Sequence, residues 1–198
     1  MARTIAKDHG QKREQILKTA AKVFADQGFD RASMTLLAKE CGISKANIYH
    51  YYDSKDAILY DILETYLREL RDRICTVKTD GLTPEQKLQA TIREILFAYQ
   101  GADDEHRVQI SGMTALTEDQ QKLLRGYQRD LVNFVSDIVR EVSPKAFDGD
   151  NAKLRATTMS VFGMLNWYYM WNTGAGSQAR EDYADLVSSL TLRGVQNL

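Results

Sequence analysis

Proline is nearly absent from this sequence, with two in 198 residues, so little in it breaks a helix. Cysteine is equally scarce. Cys41 and Cys75 make no metal-ligand spacing, and the three histidines (His9, His50, His106) are scattered, so no metal site is expected. Cys41 falls on an apolar helix face and reads as a small core residue. No apolar run approaches the roughly 20 residues of a membrane span. The opening MARTIAKDHGQKRE lacks the apolar segment of a signal peptide. A cytoplasmic protein with no membrane partner is the expectation. There is no lasting strand-like alternation, no internal repeat and no low-complexity tract. A Gly-rich phosphate loop, GxSxG, HExxH and paired cysteines are missing too, so neither an enzyme nor a cofactor is expected.

What is present is ordinary in bulk: 43% hydrophobic and 27% charged residues, with a net charge of −1. The charge is divided unevenly. Residues 1–53 hold nine Lys/Arg against six Asp/Glu, a balance of +3, which leaves −4 for the remainder. A basic front and an acidic rear suit a nucleic-acid module joined to something else, or arise by chance on solvated faces.

The most informative stretch is SMTLLAKECGISKANIYHYYDSK, Ser33 to Lys55. Leu37, Ala38 and Cys41 give a first helix one apolar face. Gly42 follows where a left-handed C′ residue belongs. Ser44 is an N-cap for a second helix, on which Ile48 and Tyr52 lie four apart. Two short helices joined through a Gly-containing turn make a helix-turn-helix, whose second helix enters the major groove by its N-terminus. The outward residues suit that use. Lys45 can donate to guanine or phosphate, Asn47 can pair with adenine, and Ala46 allows approach to a thymine methyl. Tyr49 and His50 are donors for phosphate oxygens, or else pack between helices. Ser33 and Thr35 open the first of the two helices. Ser54 and Lys55 cap a further helix, whose free N–H groups face an anion.

These features, with the helix ILKTAAKVFADQGF before them and DAIL after, resemble the DNA-binding domain of the TetR family of bacterial regulators. The resemblance covers Ile16 to Leu59. Leu36 occupies a place that is usually polar, so Ser33 lacks its capping-box partner. Tyr52 stands where Phe is usual. The resemblance implies an all-α fold with about nine helices: an N-terminal three-helix bundle carrying the helix-turn-helix, then a helical ligand-binding and dimerisation domain. The division is set at 1–54 and 55–198. It implies double-stranded operator DNA as partner, with Ser33, Thr35, Ser44, Lys45, Ala46, Asn47, Tyr49, His50 and Lys55 in contact. It also implies a small-molecule effector and a homodimer joined through the last two long helices. Two recognition helices about 34–36 Å apart, or a multiple of that, then read a pseudo-palindrome.

In chain order, residues 1–11 read as a mobile arm, either a groove-binding one or a tail without function. A helix from Lys12 stops at Gly28, with Ile16, Ala20 and Phe24 in one row. The small domain's core is expected from Phe24, Phe29, Leu37, Ile43, Ile48 and Tyr52. Lys55 to Val77 is a long helix with apolar residues every three or four positions. Thr83-Pro84-Glu85-Gln86 and Thr117-Glu118-Asp119-Gln120 are capping boxes. They open helices to about Gln100 and Val142, with a shorter one near Glu105–Leu116 between them. A helix from Asn151 to about Thr173 is apolar on most sides and is expected to be buried all round. A last helix runs from about Ala179 to Val195.

The segment FGMLNWYYMW, Phe162 to Trp171, is dense in aromatics and methionine. It is either core and dimer interface, or the wall of an apolar pocket oriented by Asn166 and tyrosine hydroxyls. The pocket reading takes Tyr99, Met113, Tyr127, Phe134, Met164, Asn166, Trp167, Tyr168 and Trp171 as lining. The FG-x-x-NW-x-x-x-W pattern is similar to a TetR subgroup answering to acyl-coenzyme A thioesters, including regulators of fatty-acid and phenylacetate breakdown. Arg107, with Lys122, Arg125 and Arg129, would then hold phosphates, or all four are solvated helix charges. Two other readings remain open: a regulator of efflux or stress genes responding to hydrophobic compounds, and a helical adaptor without DNA binding. The adaptor leaves the Ser44-Lys45 and Ser54-Lys55 spacing unexplained.

Overall fold

The scarcity of proline translates into helices throughout. A computed structural model describes residues 2–172 and 174–198, with side chains from His9 onward. Its helices are α1 (Ala2–Gln27), α2 (Met34–Glu40), α3 (Lys45–Tyr51), α4 (Lys55–Cys75), α5 (Pro84–Ala98), α6 (Asp103–Gly112), α7 (Glu118–Val142), α8 (Asn151–Asn166), α9 (Tyr168–Trp171) and α10 (Ser177–Val195). Short 3-10 turns follow α6 and α7, at Met113–Ala115 and Pro144–Phe147. Counted with α8 and α9 as one interrupted helix, the described residues hold nine helices and no strand.

Starts and stops follow the local chemistry. The Thr83 box closes both ways: its hydroxyl accepts from the Gln86 N–H at 3.3 Å, and the Gln86 side chain accepts from the Thr83 N–H at 3.0 Å. Thr117 and Gln120 repeat the arrangement at the head of α7. Asp150 caps α8 by accepting from the Lys153 N–H at 2.8 Å.

Two boundaries differ from expectation. The backbone of α1 begins at Ala2, not Lys12. His9, on the added turns, stacks on Tyr51 with ring centroids 4.6 Å apart. The expected arm is therefore helical; Met1 and the side chains of Arg3 and Lys7 lie outside the described residues. The helix expected over 151–173 breaks at Trp167, whose N–H turns to the Leu165 carbonyl. Thr173 lies outside the described residues.

The chain packs as two compact units. The first takes the chain up to Arg68 together with Gly101–Arg125. In it, α1 lies against α2 and α6, and α2 against α3. Ile16, Ala20, Phe24, Leu37, Ile48 and Tyr52 are buried, as are Ile58 and Leu63 of α4. Phe29 and Ile43, expected in this core, are half-buried. Cys41 is buried. Gly112 of α6 lies close to α4, where a Cβ would come within 2.9 Å of a Leu59 methyl. The second unit takes Glu69–Gln100 and Gly126–Leu198. It is built on α5 against α10, with α8 touching both. Leu88, Ile92 and Leu96 of α5 and Val161, Leu165 and Val187 of α8 and α10 fill it. Among the described residues, no helix is long and apolar enough to cross a membrane.

Candidate functional site

A helix of seven residues such as α3 has too few internal bonds to stand alone. Its neighbours hold it. The Ser44 hydroxyl accepts from the Asn47 N–H at 3.1 Å, and Ile48 is fully buried beneath it. The turn before it is a Schellman arrangement: Gly42, at φ +64, donates to the Lys39 carbonyl, and Ile43 donates to the Ala38 carbonyl, both at 3.0 Å. Ser33 caps α2, accepting from the Leu36 N–H at 3.2 Å without the return bond that Leu36 precludes.

With the apolar side of α3 fixed inward, its polar side faces out. Ser33, Thr35, Ser44, Lys45, Ala46, Asn47, Tyr49 and His50 are all exposed. They lie at the start of α2 and along α3. Lys55 departs from the expected set. Its ammonium donates to the carbonyls of Phe29 at 2.9 Å and Asp30 at 3.2 Å, and lies 4.3 Å from the Phe29 ring centroid. It ties the α1–α2 loop to α4 instead of reaching outward.

Sequence reasoning missed what holds the far end of α3. The Tyr52 hydroxyl donates to Asp61 on α4, and Arg13 on α1 donates to the same carboxylate. Burial and then the bond to Asp61 push the Tyr52 hydroxyl above the usual tyrosine range. The extra hydroxyl of Tyr52 over phenylalanine was the available signal.

The expected effector residues are divided. Arg107 and Met113 belong to the first unit. Arg107 donates to the Ala25 carbonyl at 2.8 Å and to Asp26 at 3.2 Å, which fastens α6 to the end of α1. Met113 is half-buried in the 3-10 turn. A groove of about 560 Å³ in this unit is lined by residues 27–31 with Ser111 and Thr114, and none of the expected effector residues borders it. Lys122, Arg125 and Arg129 are exposed, and Arg125 donates to Gln121 at 2.8 Å.

In the second unit, Tyr99, at the end of α5, meets Asn166 at the end of α8. The Tyr99 hydroxyl donates to the Asn166 side-chain oxygen at 2.7 Å. Burial raises its pKa. Tyr168, fully buried, stacks on Tyr183 at 4.6 Å and accepts from the Asn172 amide at 2.7 Å. Trp171 meets both rings edge-on at 5.2 Å. Tyr127 and Phe134 are half-buried on α7, Tyr127 beneath the Arg71 guanidinium at 4.7 Å.

The expectation that the aromatic helix is buried all round is corrected. Trp167 is 58% and Trp171 59% exposed, and Met159 and Met170 are exposed as well. The break at Trp167 turns Tyr168 inward and leaves its neighbours outside. Met164 borders a shallow groove of about 240 Å³ between α8 and α10, with Ser160, Leu190 and Gly194.

Arg180 also escaped sequence reasoning. It lies in the buried register of α10 with Ala184, Val187, Ser188 and Thr191. An arginine at i relative to an apolar i+4, i+7 row was the readable signal. Among the described residues, no group of three or more His, Cys, Asp or Glu is placed to hold a metal ion.

Residues 16–62 match the model of bacterial regulatory proteins of the tetR family. Residues 81–195 match that of the tetracyclin repressor-like C-terminal domain. An uncharacterized HTH-type transcriptional regulator of Bacillus subtilis, YuxN, is 40% identical over 74 residues, which are 37% of this chain and 25% of that protein. The chain thus spans a quarter of that curated relative, and 29% of another, YerO. A TetR-family transcriptional regulator from Bordetella parapertussis 12822 is similar over 94% of this chain and 96% of its own, at 34% identity and a TM-score of 0.85. AibR, crystallised with isovaleryl coenzyme A and operator DNA, shares the fold at 22% identity and a TM-score of 0.75, over 90% of this chain and 97% of its own.

Proposed function

The chain belongs to the TetR family of DNA-binding transcriptional regulators, and from that premise we propose that it is a repressor released by a small ligand. On this reading it holds a palindromic operator as a homodimer, and an apolar or acyl-coenzyme A effector loosens the grip. Residues 1–54 are the reading head, and 55–198 bind the effector and the second copy.

The observation that carries the reading is the capped, outward-facing start of α3. Lys45, Ala46 and Asn47 are exposed, on a helix whose opposite side is anchored by Ile48. Ser33, Thr35, Tyr49 and His50 flank them as phosphate donors. The dimer is supported by exposed apolar residues in register on α8 and α10, namely Met159, Leu186 and Leu190. The effector is supported by two hydrogen-bonded tyrosine–asparagine pairs in the second unit, Tyr99 with Asn166 and Tyr168 with Asn172. Acyl-coenzyme A as its class leans on AibR, the structural relative crystallised with isovaleryl coenzyme A. A ligand with 1–3 kcal/mol of preference for the released form would weaken operator binding by about 5–150-fold.

Fluorescence anisotropy with labelled pseudo-palindromic DNA tests this. Affinity should fall steeply with salt, because phosphate contacts release counterions. Lys45→Ala with Tyr49→Ala should weaken binding and reduce the salt slope by about one for each phosphate no longer held. An unchanged affinity in that double variant, or a complex insensitive to salt, would overturn the reading.

A further inference from the structure

Arg180 is 3% exposed, and among the described residues no carboxylate stands within ion-pair distance of it. Its neighbour Glu181 is bound to Arg93 at 2.6 Å. A guanidinium carries five N–H donors. One nitrogen, Nη1, donates to the Leu96 carbonyl at 3.0 Å in the last turn of α5. Nε is buried and has no acceptor. The plane lies 5.4 Å from the ring centroid of Tyr168. A helix C-terminus offers about half a negative charge and an aromatic face offers less. Neither neutralises a buried cation, and buried charges are kept in proteins when they are paired. The fold therefore holds a cation in dry surroundings and supplies no counter-anion.

We infer that Arg180 is the anion receptor of the effector site, and that it takes the carboxylate of a small organic acid whose apolar part lies against the Tyr168–Tyr183–Trp171 rings. The inference rests on the ligand-responsive reading above and sets a free acid in place of its acyl-coenzyme A, since a thioester carries no carboxylate. Geometry favours a carboxylate. With Nη1 held by Leu96, Nε is left without an acceptor, and the two parallel N–H groups of a guanidinium edge match two carboxylate oxygens. The surroundings favour a modest apolar tail. Tyr168 and Tyr183 are stacked and Trp171 closes on both, while the amide of Asn172 fixes the Tyr168 hydroxyl. The site is closed as it stands. Entry requires α9 to yield, and a four-residue helix is held by its packing and not by its own bonds.

The alternative is structural: Arg180 only satisfies the C-terminal carbonyl of α5. The two roles predict opposite responses. A purely structural arginine makes the protein less stable when replaced. An unpaired buried charge kept for a ligand makes it no less stable, because the desolvation penalty that an apolar replacement removes offsets the donor lost to the Leu96 carbonyl.

The test uses the full-length protein, thermal melts and isothermal titration calorimetry. The probes are octanoate and phenylacetate, against octanamide, phenylacetamide and octanoyl-coenzyme A. The acids should bind and raise the melting temperature, and their amides should not. Arg180→Met should weaken acid binding by about tenfold or more and melt no lower than the wild type without ligand. Arg180→Lys, which keeps the charge without the fork, should bind the acids at intermediate strength; it carries the test if the Met variant does not fold. The inference is overturned if acid and amide bind alike, if neither acid binds, if octanoyl-coenzyme A binds equally well with and without the guanidinium, or if Arg180→Lys binds like the wild type. Operator binding by the wild type, measured separately, judges the DNA-binding reading; its failure would leave acid binding at Arg180 standing.

Discussion

Lys45 and Lys55 each follow a serine that caps a helix, yet their surroundings divide them. Lys45 is exposed and lies on the outward side of α3. Lys55 is bound to two loop carbonyls and covers the Phe29 ring. Lys45→Ala should therefore lower operator affinity and leave the melting temperature alone. Lys55→Ala should lower stability by about 1 kcal/mol, because it leaves part-buried carbonyls without a donor. Anisotropy and thermal melts on the two variants separate these effects. A Lys45 variant that melts early, with unaltered DNA binding, would contradict the assignment. Tyr52 gives a pH dependence. Its hydroxyl is held protonated by burial and by donation to Asp61, so its pKa is raised in the folded chain. The stability it contributes is complete below the unfolded value, about pH 10. It is lost as pH rises from there through the folded value. Tyr99, raised by burial alone, acts in the same direction. Melting temperature should decline above about pH 10, less steeply in Tyr52→Phe, which should also be about 1.5 kcal/mol less stable at neutral pH. Equal alkaline slopes in the two proteins would exclude this account of Tyr52.

Helix starts were the most legible elements, because a cap is a local event within four residues. Thr83, Thr117 and Ser44 each cap where their spacing predicts. Gly42 likewise takes the left-handed conformation that its place after Cys41 requires. Gly42→Ala should cost about 1 kcal/mol through backbone strain. Because a Cβ there meets nothing within 4 Å, the loss should appear in denaturant unfolding with no change in the salt slope of DNA binding. A changed slope would mean that Gly42 does more than turn the chain. Tertiary events were less legible. The turns of α1 before Lys12 lack apolar periodicity, and the stacking made there, His9 on Tyr51, joins residues more than forty positions apart. Trp167 carries no Gly or Pro to announce the break in the eighth helix. The break lets Tyr168 reach its partners Asn172 and Tyr183, which no helical wheel displays. Arg107 illustrates the same limit: its charge is plain in the sequence, but its acceptors on α1 are not.

At the scale of the whole molecule, a single chain leaves its last helices unfinished. The outer row of α8 runs through Met159 and Gly163 to Trp167 just past its end, and that of α10 through Leu186, Leu190 and Gly194, all exposed. Leu190 is 54% exposed, and apolar side chains in register on two adjacent helices are more than scattered surface residues. Glycine at 163 has no use inside one chain. It sits within α8, where glycine costs about 1 kcal/mol relative to alanine, and a Cβ there would meet nothing within 4 Å. Close approach of a second copy in the proposed dimer would give it one, since a bare backbone lets helices cross at short range. Gly163→Leu then has a signed outcome. The lone chain should keep its fold, because the added side chain enters open space and removes a poor helix former. The proposed dimer should come apart at micromolar concentration in sedimentation velocity, and operator affinity should fall at least tenfold, because two half-sites are no longer held together. Leu190→Glu should do the same by placing a charge in the interface. Gly163→Leu that stays dimeric, with wild-type operator affinity, would remove α8 from the interface and with it the reason for glycine at that position.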